Sequence, residues 1–149
     1  MEDLSIKASI QIQKPAREVF EAIVDPEKMS HYFIERGSAR LEEEKTVTWK
    51  WPEFEGDNPV RGGKIEQDHY ISFYWDGAEN VETLVEMKLE SKDAGTKITV
   101  TEGSLPNDEK GIKWLKGNTE GWANFLACLK AYLEYGINLR KGAFDFMKA

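Results

Sequence analysis

The sequence has little of what many functional sites are built from. Its 149 residues include one cysteine, Cys128, and two histidines, His31 and His69. A single cysteine excludes an internal disulfide and a thiolate metal cluster. The two histidines lie far apart in the sequence, and a metal site needs several ligands, so no metal site is predicted. There is also no phosphate-binding loop, no dinucleotide-binding glycine motif and no H-E-x-x-H, so no cofactor is expected.

Long apolar runs and excess positive charge are missing as well. No apolar run approaches the roughly 18 residues of a membrane span. The start, MEDLSIKASI, has no basic segment followed by an apolar one, so we expect neither a signal peptide nor membrane insertion. The net charge is -7, from 27 acidic and 20 basic residues. Such a chain repels nucleic acid and anionic membrane surfaces, and we expect a cytoplasmic protein with no nucleic-acid partner.

Length and composition are typical of one globular domain. A chain of 149 residues buries roughly 70% of its unfolded surface on folding, which is enough for an autonomous core. Hydrophobic residues make up 40% of the chain and charged residues 32%, which is ordinary for such a domain. No repeat, linker or low-complexity segment interrupts the sequence. We therefore expect a single domain over residues 1–149.

Alternation of apolar and polar residues predicts a chain rich in strands. The segment LSIKASIQIQ alternates as a half-buried strand. A helix over 15–24 follows, with Pro15 in its first turn, and a second short helix is predicted over 26–33. Six further strands are predicted, over 35–42, 45–51, 60–68, 69–76, 81–91 and 96–104.

Turn signals and a long last helix complete the predicted fold. Asp76-Gly77 predicts a hairpin turn, and Gly62-Gly63 inside a strand predicts a bulge. The last helix begins after Asn107 or Asp108 and ends at Gly136. The order β-αα-ββββββ-α predicts an α+β fold, in which a curved antiparallel sheet of about seven strands wraps around a long C-terminal helix.

Large aromatic residues share the inner faces of the predicted sheet and of the last helix. Strand alternation places Trp49 with Trp51 and Phe73 with Trp75, and helical spacing gives Trp122 a stripe of apolar neighbours. Rings of this size tend to leave a void between a sheet and a helix. Aromatic residues at such spacings more often form a solid core, and the pattern alone does not decide between the two.

The ordered motifs resemble a known superfamily. The stretch IQKPAREVFEAIVDPEKMSHYF is followed by HYISFYW, by GTKITVTEGS and by GWANFLACLKAYLE. This order resembles the START-like (SRPBCC, helix-grip, birch-pollen-allergen-like) superfamily, and within it the heat-shock protein 90 ATPase activator homologue-like family. The resemblance runs from about Leu4 to Gly136. It rests on Pro15, Val19, Phe20, Phe73, Tyr74, Trp75, Gly121, Trp122, Leu126, Leu129, Lys130, Leu133 and Glu134.

The resemblance implies a helix-grip fold whose cavity, between the sheet and the last helix, binds a lipid or another small hydrophobic molecule. The residues expected to contact the ligand are Trp49, Trp51, His69, Phe73, Trp75, Trp122, Phe125, Leu126 and Leu129. The eukaryotic namesake co-chaperone carries an additional N-terminal domain, for which 149 residues leave no room. Contact with a chaperone is therefore not expected.

Two residues are candidates for catalysis in such a cavity. Strand alternation places His69 on the same face as Phe73, where it could act as a general base. A hydrogen-bonded histidine at a strand end is the more ordinary interpretation. Strand alternation places Glu102 on the same face as Val100, so it is the best candidate for a carboxylate that points into the cavity. A carboxylate in such a place more usually lies at the rim in contact with water. Neither belongs to a recognisable catalytic motif. We predict non-catalytic binding; the alternatives are a cavity enzyme of polyketide cyclase/aromatase or hydrolase type and, after it, a chaperone-interacting module.

The C-terminal tail, residues 137–149, is too apolar for a disordered end. We expect it to fold back over the domain or to pack against a second copy. Ala123, Ala127 and Ala131 form a stripe of small residues that would permit helix contact in a homodimer. Such alanines are more often good helix formers on a solvated face, so the oligomeric state stays open.

Overall fold

Apolar residues that alternate with polar ones along seven strands build one antiparallel sheet, and a long helix packs against it. The computed structural model describes residues 2–148; Met1 and Ala149, which fall within the predicted domain and tail, lie outside the described residues. The elements are β1 (Leu4–Ile12), α1 (Ala16–Val24), α2 (Pro26–Met29), β2 (Arg36–Gly37), β3 (Thr46–Lys50), β4 (Asn58–Glu66), β5 (Tyr70–Ala78), β6 (Val81–Lys92), β7 (Gly95–Leu105), α3 (Glu109–Tyr135) and a 3₁₀ turn (Asp145–Met147).

The strands follow the order β1-β7-β6-β5-β4-β3-β2, and every neighbouring pair is antiparallel. Residues on the inner face of the sheet are buried, among them Phe73 on β5, Val85 on β6 and Val100 on β7. The predicted α+β helix-grip fold is therefore confirmed.

The long helix α3 begins and ends where its capping residues predict. The Asp108 carboxylate accepts a hydrogen bond from the backbone N–H of Gly111, which satisfies one of the free donors of the first turn. At the other end, Gly136 has a left-handed backbone with φ of 66° and closes the helix. Between these caps, α3 buries Trp122, Phe125 and other apolar residues against the sheet.

Three local predictions are corrected by the structure. The helix predicted over 26–33 ends at Met29 and continues as hydrogen-bonded turns. The strand predicted over 35–42 is reduced to Arg36–Gly37, because only these two residues pair with β3. The turn predicted at Asp76-Gly77 lies later, at Glu79 and Asn80, and Gly77 instead belongs to β5 at an irregularity in its pairing with β6. The bulge predicted at Gly62-Gly63 is present, as a register shift between Gly62 and Ile65.

Within residues 2–148, no helix combines enough length with enough apolar character to span a membrane.

Candidate functional site

The centre of the inner sheet face is solid. Trp49 and Phe73 are fully buried, and their ring centroids lie 5.2 Å apart in an edge-to-face contact. Leu126 and Leu129 of α3 are buried in the same core. All four belong to one buried cluster between sheet and helix, in which edge-to-face contact allows the large rings to pack closely.

Five rings at the edge of this core form a closed circle of contacts, which we call the aromatic bowl. Its members are Phe33, Trp51, Trp75, Trp122 and Phe125. Successive ring centroids around the circle lie 5.4, 5.9, 5.6, 5.2 and 4.7 Å apart. The rings come from the turn after α2, the loop after β3, β5 and α3, so the bowl exists only in the folded chain.

The aromatic bowl lines a cavity of about 250 Å³. The cavity lies between α3, the loop that joins β3 to β4, and the C-terminal tail. Beyond the bowl, its lining residues are Phe54, Gly117, Asn118, Glu120, Gly121, Asn124, Cys128, Arg140, Phe144 and Met147. Most of this lining is apolar, and its polar side chains are few, which is typical of sites that hold small organic molecules.

Two glycines inside α3 face this cavity. Gly117 and Gly121 are one helical turn apart, and a Cβ atom built on either would meet no other atom within 4 Å. A glycine in the middle of a helix destabilises it by about 1 kcal/mol relative to alanine. Both glycines are exposed, so core packing gives no reason for them. At these two positions the cavity wall carries no side chain.

Behind the bowl lies a buried carboxylate, Glu102 of β7, with 1% of its surface exposed. Its Oε2 accepts hydrogen bonds from the indole Nε1 of Trp75 at 2.9 Å and from Oγ1 of Thr83 at 2.6 Å. Its Oε1 accepts from Nε1 of Trp122 at 2.8 Å and from Nδ2 of Asn118 at 3.2 Å. All four donors are neutral, so hydrogen bonds alone compensate the burial of this group.

The Glu102 cluster explains why Gly77 is glycine. A Cβ atom at Gly77 would lie 2.2 Å from Oε2 of Glu102 and 2.1 Å from Oγ1 of Thr83. The strand can therefore pass over the carboxylate only without a side chain at this position. The carbonyl oxygen of Gly77 also accepts a hydrogen bond from Nδ2 of Asn118, at 3.2 Å, which fixes the orientation of that amide at the cavity wall.

The tail reaches the cavity through an ion pair with the loop between β3 and β4. Arg140 donates two hydrogen bonds to Glu53, from Nη1 to Oε2 at 3.0 Å and from Nη2 to Oε1 at 2.8 Å. Only 3% of the Glu53 side chain is exposed. The Arg140 guanidinium also lies 4.9 Å from the ring centre of Phe144, and both residues line the cavity.

The structure brings together four of the residues expected to contact a ligand and separates the others from the cavity. Trp51, Trp75, Trp122 and Phe125 line it. The remaining aromatic and leucine residues of the predicted wall, Trp49, Phe73, Leu126 and Leu129, are core residues instead. The expectation that His69 points inward is also wrong: it lies before β5 begins and is exposed.

Glu102 points into the protein, as strand alternation predicts, and the alternative, a position at the rim in contact with water, is wrong. It does not itself line the cavity, because the side chains of Trp75, Trp122 and Asn118 stand between its carboxylate and the open space. The two catalytic candidates are therefore not brought together.

Several lining residues were not predicted from the sequence. Gly117, Gly121 and Cys128 follow a helical period beside the apolar stripe of α3, and that period was the signal available for them. The contribution of Arg140 had no such signal, because its partner Glu53 is 87 residues away in the chain.

Cys128 is the one cysteine of the chain, and its buried side chain lines the cavity. Burial raises the pKa of its thiol, and the positive charge of Arg140 opposes that shift. A raised pKa disfavours the reactive thiolate. Within residues 2–148, no group of three or more His, Cys, Asp or Glu side chains is placed to hold a metal ion.

Comparisons with known proteins agree with this architecture. A sequence model described as Activator of Hsp90 ATPase homolog 1-like protein matches residues 13–134. The solved structure of protein SSP2350 from Staphylococcus saprophyticus is 34% identical, with a TM-score of 0.82 over 92% of this chain and 96% of that one. No curated protein matches the sequence.

More distant structures share the fold alone. DynU16, a protein of the dynemicin biosynthetic locus, is 23% identical, with a TM-score of 0.79 over 91% of this chain and 49% of that one. The Aha1 dimer from Colwellia psychrerythraea is 17% identical, with a TM-score of 0.76 over 89% of this chain and 98% of that one.

Proposed function

Because the chain belongs to the Activator of Hsp90 ATPase homolog 1-like family, a helix-grip family, we propose that it uses its cavity to bind a small hydrophobic or lipid-like molecule without transforming it. The observation that carries the proposal is the pair Gly117 and Gly121. Each is exposed, weakens α3 and adds no side chain to the cavity wall, which leaves room for an occupant beside the aromatic bowl.

The positions of the catalytic candidates favour binding over catalysis. His69 is exposed in the turn before β5, away from the cavity. Both oxygens of Glu102 are engaged by donors of the protein, so neither is directed at a substrate in the cavity. A general acid or base must come within hydrogen-bond reach of the reacting group, and neither residue meets this condition here.

Filling the cavity from α3 is expected to abolish binding without destabilising the fold. In Gly121→Leu the new side chain meets no atom at its Cβ, is added to a residue that lines the cavity and improves helix propensity. We expect the affinity for a neutral fluorescent probe, N-phenyl-1-naphthylamine, to fall at least tenfold while the melting temperature stays the same or rises. Native mass spectrometry should find a co-purified small molecule in the natural protein and not in Gly121→Leu.

The matched control is Ala123→Leu, two residues away on the same helix, which adds a leucine at an exposed position that does not line the cavity. This variant should bind the probe as the natural protein does. Equal probe affinity in Gly121→Leu and Ala123→Leu would contradict the proposed site.

Cys128 offers a second, covalent test of the same cavity. Iodoacetamide must enter the cavity to reach this thiol, and each protein molecule can gain only one alkyl group at cysteine. We expect the rate of alkylation at pH 8, followed by mass spectrometry, to be at least threefold slower in Gly121→Leu than in Ala123→Leu. Raising the pH should accelerate both reactions, because the pKa of the thiol is above its usual value. Identical rates would mean that the reagent reaches Cys128 by another route.

A further inference from the structure

The aromatic bowl is backed by a negative charge that has no cationic partner. Both oxygens of Glu102 accept hydrogen bonds, and three of the four partners, the indoles of Trp75 and Trp122 and the amide nitrogen of Asn118, can only donate. Its four partners are neutral, and within residues 2–148 no lysine, arginine or histidine forms an ion pair with it. A buried charge of this kind attracts a positive charge in the neighbouring cavity, because the interior screens the attraction less than water does.

The indoles of Trp75 and Trp122 connect that charge to the cavity. Both point their N–H edges at Glu102, and both rings belong to the aromatic bowl. The face of an aromatic ring is negative, and donation of the N–H group to an anion polarises the indole further in the same direction. The cavity is therefore lined by five aromatic rings, two of which are polarised by Glu102, and aromatic rings are the groups that attract a cation.

The other charges of the cavity wall do not oppose a cation. Arg140 is paired with Glu53 through two hydrogen bonds, so this pair adds no net charge. Glu120, which also lines the cavity, adds a negative one. The net charge of -7 over the whole chain favours the approach of a cation as well.

We propose that the molecule bound in this cavity carries a quaternary ammonium group, which sits in the aromatic bowl. A quaternary nitrogen has no N–H group that needs an acceptor, and both oxygens of the buried carboxylate are already engaged. Its methyl groups make the same apolar contacts as a hydrocarbon, and its charge adds the attraction of the rings and of Glu102. This inference rests on the proposed function and adds the charge and shape of the ligand.

The test compares two probes of the same shape. Choline has a quaternary nitrogen where 3,3-dimethylbutan-1-ol has a carbon, and both dissolve at millimolar concentration. Binding can be titrated in low salt through the fluorescence of the tryptophans or through chemical shifts in NMR spectra. Since a ring-face contact with a cation contributes about 0.5–2 kcal/mol, we expect choline to bind at least threefold more tightly than the alcohol.

A variant of the bowl that spares Glu102 makes the test independent of folding defects. Trp51→Leu keeps an apolar wall but removes one ring, and Trp51 donates no hydrogen bond to the carboxylate. We expect the ratio of the choline affinity to the alcohol affinity to fall to less than half of its value in the natural protein. The affinity for the alcohol should change less than twofold. Phe146→Leu is the control, because this ring is 80% exposed and outside the bowl, and it should leave both affinities unchanged.

The outcomes separate this inference from the proposed function. If the alcohol binds as tightly as choline or more tightly, the ligand is not selected for positive charge and the inference is wrong, while binding in the cavity stands. A choline preference that Trp51→Leu leaves intact would also overturn it, because the rings would then not be the source. If neither probe binds at tens of millimolar, the inference fails, whereas the proposed function fails only if N-phenyl-1-naphthylamine does not bind in the cavity either.

Discussion

Replacing Glu102 by glutamine is expected to lower the free energy of unfolding by about 3 kcal/mol, although the two side chains have nearly the same shape. The carboxylate accepts from four donors, whereas an amide has one oxygen and one NH₂ group that must itself donate. In either orientation the NH₂ group faces the indole N–H of Trp75 or of Trp122, which cannot rotate away. A buried donor left without an acceptor costs about 1–3 kcal/mol, and here the opposed donors also repel each other.

Urea denaturation of Glu102→Gln and of Glu120→Gln measures the effect. Glu120 is exposed on α3, so its replacement should change the free energy of unfolding by less than about 0.5 kcal/mol. Glu102→Leu should be less stable than Glu102→Gln, since it removes the acceptor of Trp75, Thr83 and Trp122 and leaves Asn118 only its hydrogen bond to the carbonyl oxygen of Gly77. If the two glutamine variants are equally stable, the hydrogen bonds around Glu102 do not stabilise the fold as the structure suggests.

Strand parity predicted the direction of Glu102 but not its role. Alternation along β7 depends on neighbouring residues, so the sequence shows that Glu102 faces inward with Val100. Its partners come from β5, β6 and α3, at separations of 16 to 27 residues. The sequence gives the side chain's face, but whether four donors meet there depends on strand register and on the rotation of α3.

Strand alternation also could not predict the position of the cavity. Parity correctly grouped Trp49 with the inner face of the sheet, but it could not show that Trp49 interlocks with Phe73 and leaves no space there. The open space lies instead where the β3–β4 loop and the tail meet α3. Loops and tails carry no periodic pattern, so the side chains that they bring to a site are hard to predict from sequence.

Truncating the chain after Gly136 is expected to lower the free energy of unfolding by about 3 kcal/mol. The truncated chain lacks Arg140, so the carboxylate of Glu53, which is nearly fully buried, loses its counter-charge. Removing one partner of a buried ion pair typically costs about 3–5 kcal/mol. We expect the lower end of this range, because the tail also covers Glu53 and its removal admits water to the carboxylate. The loss of Phe144 and Met147 also opens the cavity wall to water. Urea denaturation of the truncated and full-length chains measures the difference.

A second substitution identifies the source of that loss. If the unpaired charge of Glu53 causes it, Glu53→Gln should recover part of the stability in the truncated chain, yet should destabilise the full-length chain by leaving Arg140 without its partner.

Size-exclusion chromatography at several concentrations tests the other fate expected for the tail, packing against a second copy. If the tail folds back, the elution volume does not depend on protein concentration. If the tail joins two copies, both the elution volume and the melting temperature change with protein concentration. An unchanged free energy of unfolding after truncation would mean that Arg140 and Glu53 are not held together in solution, and that the cavity wall formed by the tail is not stable.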